Sequence, residues 1–517
     1  MKCIAISVFC YLLTASTCSF AQQPGTLDGD FDANGSVITT ITSGTDLANS
    51  VVVQPDGKIV VTGTSGSSVF SSDPSDYSTV RYLSDGSLDP SFGTNGMVTT
   101  SLGPNDNATS IVLQSDGKII VGGSSNGITA LQAFAIVRYN QDGSIDNSFS
   151  TVNGSGVFFG PLGDCKAIAL QSDGKIVAAG TADNASDDFV VARYNTDGTI
   201  DNTFGTTGVV TTDFGGLEDF ARSIAIQTDG KIIVAGSSNN GLDFDMAVVR
   251  YNLDGSLDNS FSINGMVTAD FGNGDCGASK VLIQPNGKIV TTGSTLNDFQ
   301  TISVNGLVRF NSDGTLDNSF GVSGKVVGNV EGGGRSSVLQ PDGKILLVSS
   351  FISFTISRFN PDGTFDTDFG INGIVHEDIG IVDKSRCSSC ALQPDGKIIL
   401  VGSGQVVLGD DDFAVARFIS GLNLGVLSFS SQDNGMLIYP NPLQERAVLE
   451  YTLAEDETIS IDLFDMSGKL VQSLLASGKR SKGPHKETLV LDAMLSSGSY
   501  LLTLSNGTGT SSVRVSK

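Results

Sequence analysis

Between residues 220 and 274 short apolar runs alternate with tight polar breaks. Ser223-Ile-Ala-Ile-Gln227 has the period of a strand, and Thr228-Asp229-Gly230 predicts a hairpin turn whose glycine supplies a positive φ. Lys231-Ile-Ile-Val-Ala-Gly236 is the return strand. After a polar loop, Met246-Ala-Val-Val-Arg250-Tyr251 predicts a third strand. Asn252 to Gly255 turns the chain into Ser256–Phe261, and Asn264-Gly265 leads to a fourth strand, Met266-Val-Thr-Ala269. Apolar residues on both faces suit a sheet held between two neighbours.

This unit recurs. Gln-x-Asp/Asn-Gly-Lys begins at Gln54, Gln114, Gln171, Gln227, Gln284, Gln340 and Gln393, with gaps of 60, 57, 56, 57, 56 and 53 residues. Seven four-stranded antiparallel units predict an all-β, seven-bladed β-propeller over residues 22–424, because ring closure protects the sheet edges. A β-solenoid is the alternative, but its coils are usually shorter than ~50 residues and lack repeated Asp-Gly hairpins. Leu27–Val37 matches the connector Leu88–Val98, whereas the last copy stops after Arg417-Phe418 without one. The chain therefore begins with the piece its end lacks, and Gly35–Thr42 is expected to complete the last blade.

The ends follow other patterns. Lys2, the apolar run Cys3–Leu13 and Ser19-Phe20-Ala21 make residues 1–21 a signal peptide cleaved after Ala21. A lipoprotein signal ending at Cys18 fits poorly, because Leu13–Thr17 is no lipobox. No later run reaches the roughly 18 apolar residues of a membrane span. Residues 425–435 form a polar linker, and residues 436–517 alternate strands and turns as in a small β-sandwich.

Leu392-Gln393-Pro394-Asp395-Gly396-Lys397-Ile398 and Val249-Arg250-Tyr251-Asn252-Leu253-Asp254-Gly255-Ser256-Leu257-Asp258 resemble the two halves of the delta-60 repeat. The resemblance covers roughly residues 27 to 420 and implies a β-propeller without a general assigned activity. Tyr439-Pro440-Asn441-Pro442, Phe464-Asp465-Met466-Ser467-Gly468-Lys469, Gly483-Pro484-His485 and Leu495-Ser-Ser-Gly498-Ser499-Tyr500 resemble, in order, the type A C-terminal sorting domain of the type IX secretion system of Bacteroidetes. That resemblance implies passage across the outer membrane through the type IX machinery, and usually removal of the domain. A carbohydrate-binding or fibronectin-like sandwich is the alternative, without an outward aromatic platform or any Trp to support it.

A net charge of −25, with no basic stripe, argues against nucleic acid and leaves glycan, surface-protein or cation partners open. Four cysteines follow the signal. Cys165 and Cys276 precede predicted strands and read as core residues, while Cys387 and Cys390 are spaced for a local disulfide rather than a zinc site.

Candidate chemistry is sparse. His485 belongs to the last module and His376 stands alone in a strand, so no Ser-His-Asp set emerges. Gly123-Ser124-Ser125-Asn126-Gly127 matches Gly-x-Ser-x-Gly but falls in an interstrand loop rather than a strand-to-helix elbow. One lysine and one arginine recur in every unit, as Lys231 and Arg250 do, and read as blade architecture, the arginine pairing with repeated aspartates. Asp76, Asp188, Asp245 and Asp412 each stand five residues before a repeat arginine. They could ring one face as a cation or polyol site or serve strand-entry hydrogen bonds, and Ala133, Val304 and Ser353 replace them in three units. Asp30, Asp32 and Asn34 resemble half of a calcium loop without its distal acid, making calcium the only cofactor considered.

The expected function is a non-catalytic propeller, secreted or held at the outer cell surface, that binds a ligand through its irregular loops. A secreted polysaccharide-active enzyme, needing two acids at a fixed separation, and a structural surface-layer spacer are the alternatives.

Overall fold

The computed structural model describes residues 23–32, 34–66, 74–126, 131–150, 156–272, 274–297, 299, 301–350, 352–381, 383–407 and 409–422. Toward the C-terminus it describes 437–439, 446–453, 455–465, 470–492, 499–505 and 510–516. The signal peptide, Ala21 and the linker lie outside these residues. Two compact units divide at Gly421/Leu422.

The first unit is built from four-stranded antiparallel sheets. Blade 1 comprises Asp46–Val53, Ile59–Gly66, Ser75–Tyr82 and Met97–Thr100. Blade 4 repeats it as Asp219–Ile226, Ile232–Asn239, Phe244–Tyr251 and Met266–Ala269. Blades 2 and 3 share one long strand, Val157–Leu170. Its beginning is the outer strand of blade 2, paired with Ala133–Tyr139, and its end is the inner strand of blade 3, paired with Ile176–Ala182. Cys165 therefore lies within a strand, not before one.

Blade 7 takes Arg386–Leu392, Ile398–Val407 and Asp410–Phe418 from the end of the repeats and Ser36–Thr39 from the beginning. Ser36 pairs with Ala416 and Thr39 with Phe413. The inner strands touch one another around the ring, and that of blade 7 meets that of blade 1. The seven-bladed ring is closed by its own N-terminal strand.

Apolar side chains fill the spaces between blades. Val61 and Val80 of blade 1 pack with Val401, Phe413 and Val415 of blade 7 and with Phe31. On one face of the ring, Gln54 N–H donates to Lys58 O at 2.8 Å, Gly57 adopts φ 86°, and Asp56 Oδ1 accepts from Lys58 N–H. The repeated Gln-x-Asp/Asn-Gly-Lys is thus the hairpin between the first two strands, as glycine at positive φ allows.

On the same face each repeat arginine stitches its blade to the next. Arg250 Nε donates to Asp258 Oδ2 at 2.7 Å, Nη1 to Ser312 O of blade 5 at 2.6 Å, and Nη2 to Ser260 Oγ at 3.2 Å. Its guanidinium lies 4.6 Å from the Phe261 ring centre, and Lys231 Nζ joins Asp258 at 2.7 Å. The planar five-donor group makes these contacts at once, which no other side chain can do. Equivalent pairs are Arg81–Asp89, Arg138–Asp146, Arg193–Asp201, Arg309–Asp317, Arg358–Asp366 and Arg417–Asp28.

Every inner strand carries one bulged residue five positions before its repeat glutamine: Asn49, Thr109, Lys166, Arg222, Ser279, Arg335 and Ser388. A bulge leaves its residue unpaired and re-aims the side chain. The second strand answers with glycine in most blades, because a Cβ on Gly236 would lie 1.9 Å from Phe220 O.

Two further sequence expectations need correction. Cys387 and Cys390 are free, buried thiols on one strand. The strand is extended on either side of the Ser388 bulge, and Cys387 Sγ donates to Val401 O at 3.6 Å rather than meeting Cys390. Ser124 and Ser125 lie in the strand Ile119–Ser125, not in a loop, and their hydroxyls donate to Asp164 Oδ1 at 2.7 Å and Asp106 Oδ1 at 2.5 Å. Neither is poised as a nucleophile, and Gly127 of that motif lies outside the described residues.

The second unit has two sheets. One holds Leu437–Tyr439, Arg446–Leu453 and Gly483–Val490; the other holds Leu470–Arg480, Glu457–Asp465, Ser499–Ser505 and Thr510–Ser516. Leu449, Tyr451 and Leu489 of the first sheet share a core with Ile461, Leu502 and Val515 of the second, as in a sandwich. His485 stacks on Tyr451 with ring centres 5.2 Å apart.

Candidate binding face

The first and third strands of every blade start on the face opposite the hairpins, where the irregular loops gather. Asp76, Asp245 and Asp412 lie at the start of third strands, and Asp188 immediately precedes one. They do not converge. Each stands at a separate junction, facing the beginning of the next blade. Asp412 interacts with Asp46, Asp76 with Asp106, and Asp188 with Asp219.

Those inner-strand acids were not singled out from sequence. Asp46, Asp106 and Asp219 lie eight residues before the repeat glutamines Gln54, Gln114 and Gln227, and all three are fully buried. Asp46 Oδ2 accepts from the N–H groups of Ile41 and Thr42 at 2.7 and 2.9 Å, tying the incoming connection to blade 1. Burial nonetheless pushes its carboxyl up to about 6, with Asp412 adding to the rise. Asp106 is raised mainly by burial too, although Leu102 and Gly103 N–H groups and Ser125 serve it.

The calcium candidates lie elsewhere. Asp30 and Asp32 are exposed in the turn before Ser36, and Asn34 Oδ1 accepts from Ser36 N–H at 3.1 Å. This is the connector turn found in the other blades, where Gly93 and Gly96 adopt positive φ as Asp32 and Gly35 do here.

His376 is exposed on the outer strand Ile374–Glu377 of blade 6, its Nδ1 2.9 Å from Thr355 Oγ1. It lines a 400 Å³ pocket with Glu331, Glu377, Asp378 and Asp383. Burial, helped by Asp378, holds Glu377 above the usual carboxylate range.

The bulged residues supply a different chemistry. Asn49 donates to Ala108 O at 2.8 Å and Thr109 to Cys165 O at 2.9 Å, each reaching the next inner strand. Lys166 is paired with Asp164. Arg222 of blade 4 and Arg335 of blade 6, by contrast, make no hydrogen bond or ion pair among the described residues. Only the small Ser279 of blade 5 stands at the position between them, and the three line a 440 Å³ pocket with Ser237, Asp275 and Ser294. Arg222 and Arg335 are both exposed. Desolvation by the neighbouring blades and the Arg335 charge pull the Arg222 pKa down, against the opposing Asp164 carboxylate. Arg222 also borders a 410 Å³ pocket that contains Lys166 and Asp183.

Lys280 of blade 5 adds a third cation that makes no hydrogen bond or ion pair among the described residues. It occupies the place held by Ser223 in blade 4 and Ser336 in blade 6, and burial depresses its ammonium. Three consecutive inner strands therefore each carry a cation that makes no ion pair among the described residues, in a chain with 55 acidic and 30 basic residues.

A closed seven-bladed ring joined to a sandwich-type export tail defines a secreted propeller. The sequence comparisons agree. A domain of unknown function (DUF5122) beta-propeller matches residues 54–92, 114–149, 171–204, 227–261, 284–320, 340–369 and 393–420. The chain is a delta-60-like repeat propeller of that family. A secretion system C-terminal sorting domain matches residues 437–517, which marks the protein for type IX export to the cell surface or the extracellular space. No helix of the described residues is long and apolar enough to cross a membrane.

Solved structures of similar shape include a protein of unknown function from Bacteroides caccae, 14% identical, covering 54% of this chain and 84% of that one, with a TM-score of 0.30. A polysaccharide lyase of the PL25 ulvan lyase family is 11% identical over 71% of this chain and 91% of its own, with a TM-score of 0.40. The polysaccharide lyase Uly1 is 10% identical over 72% and 89%, with a TM-score of 0.41. The comparison with curated proteins finds no match.

Proposed function

We propose that the propeller is a non-catalytic binding module that recognises an acidic glycan at the bulge face of blades 4 to 6. The observation that carries this reading is the Arg222–Arg335 pair. The two guanidinium groups repel each other and form no ion pair with the nearby Asp164 or Asp275, so an anion between them relieves the repulsion. Guanidinium groups match carboxylate and sulfate oxygens bidentately. The hydroxyls of Ser237, Ser279 and Ser294 beside them suit sugar hydroxyls. Uronate or sulfate-ester sugars combine both groups.

Calorimetric titration of the mature protein with uronic-acid, sulfated and neutral oligosaccharides tests the reading. Acidic sugars bind and neutral ones do not, binding weakens with salt, and Arg222→Gln with Arg335→Gln abolishes it. Equal binding of neutral sugars, or undiminished binding by the double variant, contradicts it.

A further inference from the structure

We propose that Asp188, Asp213 and Asp219 form a divalent-cation site, suited to calcium, at the junction of blades 3 and 4. One carboxylate oxygen from each residue lies within 4.8 Å of the others. Oxygen ligands on opposite sides of one calcium ion, each at about 2.4 Å, are ~4.8 Å apart, so a single ion can touch all three. The donors are carboxylates alone, which favours a hard cation over zinc or copper.

Asp219 supplies the second observation. It is completely buried, its Oδ2 accepts from Phe214 N–H at 2.7 Å, and its Oδ1 accepts no hydrogen bond. The Ser238 hydroxyl stands near it but outside hydrogen-bond geometry. Its charged neighbours are Asp213 and Asp188, both acids. A buried carboxylate with an open oxygen beside two more carboxylates is an expensive arrangement unless a cation joins them. The other two acids are already oriented. Asp188 accepts from Asn184 Nδ2 and Ser186 Oγ at 2.8 Å each, and Asp213 Oδ1 accepts from the N–H groups of Gly215, at 2.7 Å, and Gly216.

Sibling junctions show what the ordinary arrangement is. The residue after the fourth strand is Thr40, Ser101, Asp213 or Asp270 in the junctions that carry a third-strand acid. Between blades 7 and 1, Thr40 places a hydroxyl beside Asp412. Between blades 1 and 2 the position is Ser101. Between blades 4 and 5 an acid is present, but Cys276 takes the place of Asp219 and Lys325 offsets Asp245. Acids at all three positions meet only between blades 3 and 4 among the described residues.

The test uses the full mature chain, stripped with chelator and titrated with calcium chloride by calorimetry, with melting followed in parallel. One ion binds per chain in the range of extracellular modules, Kd about 10⁻⁴ to 10⁻³ M, and raises Tm. Asp213→Ser installs the residue that blade 1 carries at this position, so it folds and loses both the heat and the calcium-dependent rise in Tm. Should it fail to fold, Asp188→Asn serves instead and must lose the same signals. No binding by the parent protein at millimolar calcium, or binding unchanged in the folded variant, overturns the site.

Discussion

Arg417 Nε donates to Asp28 Oδ2 at 2.7 Å, joining two residues 389 positions apart. Lys397 Nζ adds a second contact to the same carboxylate at 2.8 Å. The pair repeats what Arg250 and Asp258 do within one blade, but here the acid comes from the N-terminal connector. Arg417 also donates to Ser84 O of blade 1, and Tyr82 of blade 1 donates to Thr39 Oγ1 of the closing strand at 2.8 Å. Closure is thus held by backbone pairing, a buried ion pair and a hydroxyl contact together.

Removing one member of such a pair leaves the other charge buried and alone. Asp28→Ala is therefore expected to destabilise the propeller by about 3–5 kcal/mol. Urea denaturation of the mature protein measures it, and an unchanged midpoint would show that the strand pairing alone closes the ring.

Two arginines at different structural positions should behave differently. Arg250→Lys loses the fork to Asp258, Ser312 and Ser260 and the stacking on Phe261, at a cost of about 3 kcal/mol. Arg222→Gln, which breaks no ion pair, should stay within about 0.5 kcal/mol of the parent. Equal losses in chemical unfolding would contradict the division between stitching and binding arginines.

The hairpins, the blade count and the need for N-terminal closure were legible in the sequence because they depend on repeated local chemistry. The Gly57-type turns and the Arg–Asp spacing recur, so each copy corroborates the next. The bulge was not legible. Its register depends on pairing between strands, and the residue it re-aims varies from Asn49 to Arg222 to Ser388. Aligning the units on their glutamines would have exposed the column five residues upstream, but not which way it points. The free state of Cys387 and Cys390 was hidden for the same reason, since spacing says nothing about extension.

Acid and base should act on opposite faces. Asp46 has a folded pKa near 6, above its unfolded value, so its protonated form favours the native state. Its contribution is complete below about pH 4 and is lost as pH rises through 6. Asp89 and Asp146 go the other way. Burial opposes their charge, but hydrogen bonds from Ser91 and Ser148 and from the repeat lysines, with the Arg81 and Arg138 charges, outweigh it and hold both carboxyls well below the usual range. Their contribution is present above about pH 4 and disappears as pH falls below it. Tm is thus expected to peak near pH 4 to 5, and Asp46→Asn should reduce its fall between roughly pH 4.5 and 7. A variant with the parent's slope over that window would remove Asp46 from the account.

Export predicts the mass of the final product. Intact-mass measurement of secreted or surface-released protein should find a chain that begins at Gln22 and ends before Leu437, where the sorting domain starts. A released species still running to Lys517 would make that domain a retained part of the working protein.

The most direct test of the binding face is hydrogen exchange of the mature propeller with and without an acidic oligosaccharide. Protection is expected at Phe220–Ala225 and Gly334–Val338, the inner-strand segments that carry Arg222 and Arg335. The hairpins around Gly57 and Gly230, on the opposite face, should exchange as before. Protection confined to those hairpins, or to residues 437–517, would contradict the placement of the ligand between blades 4 and 6.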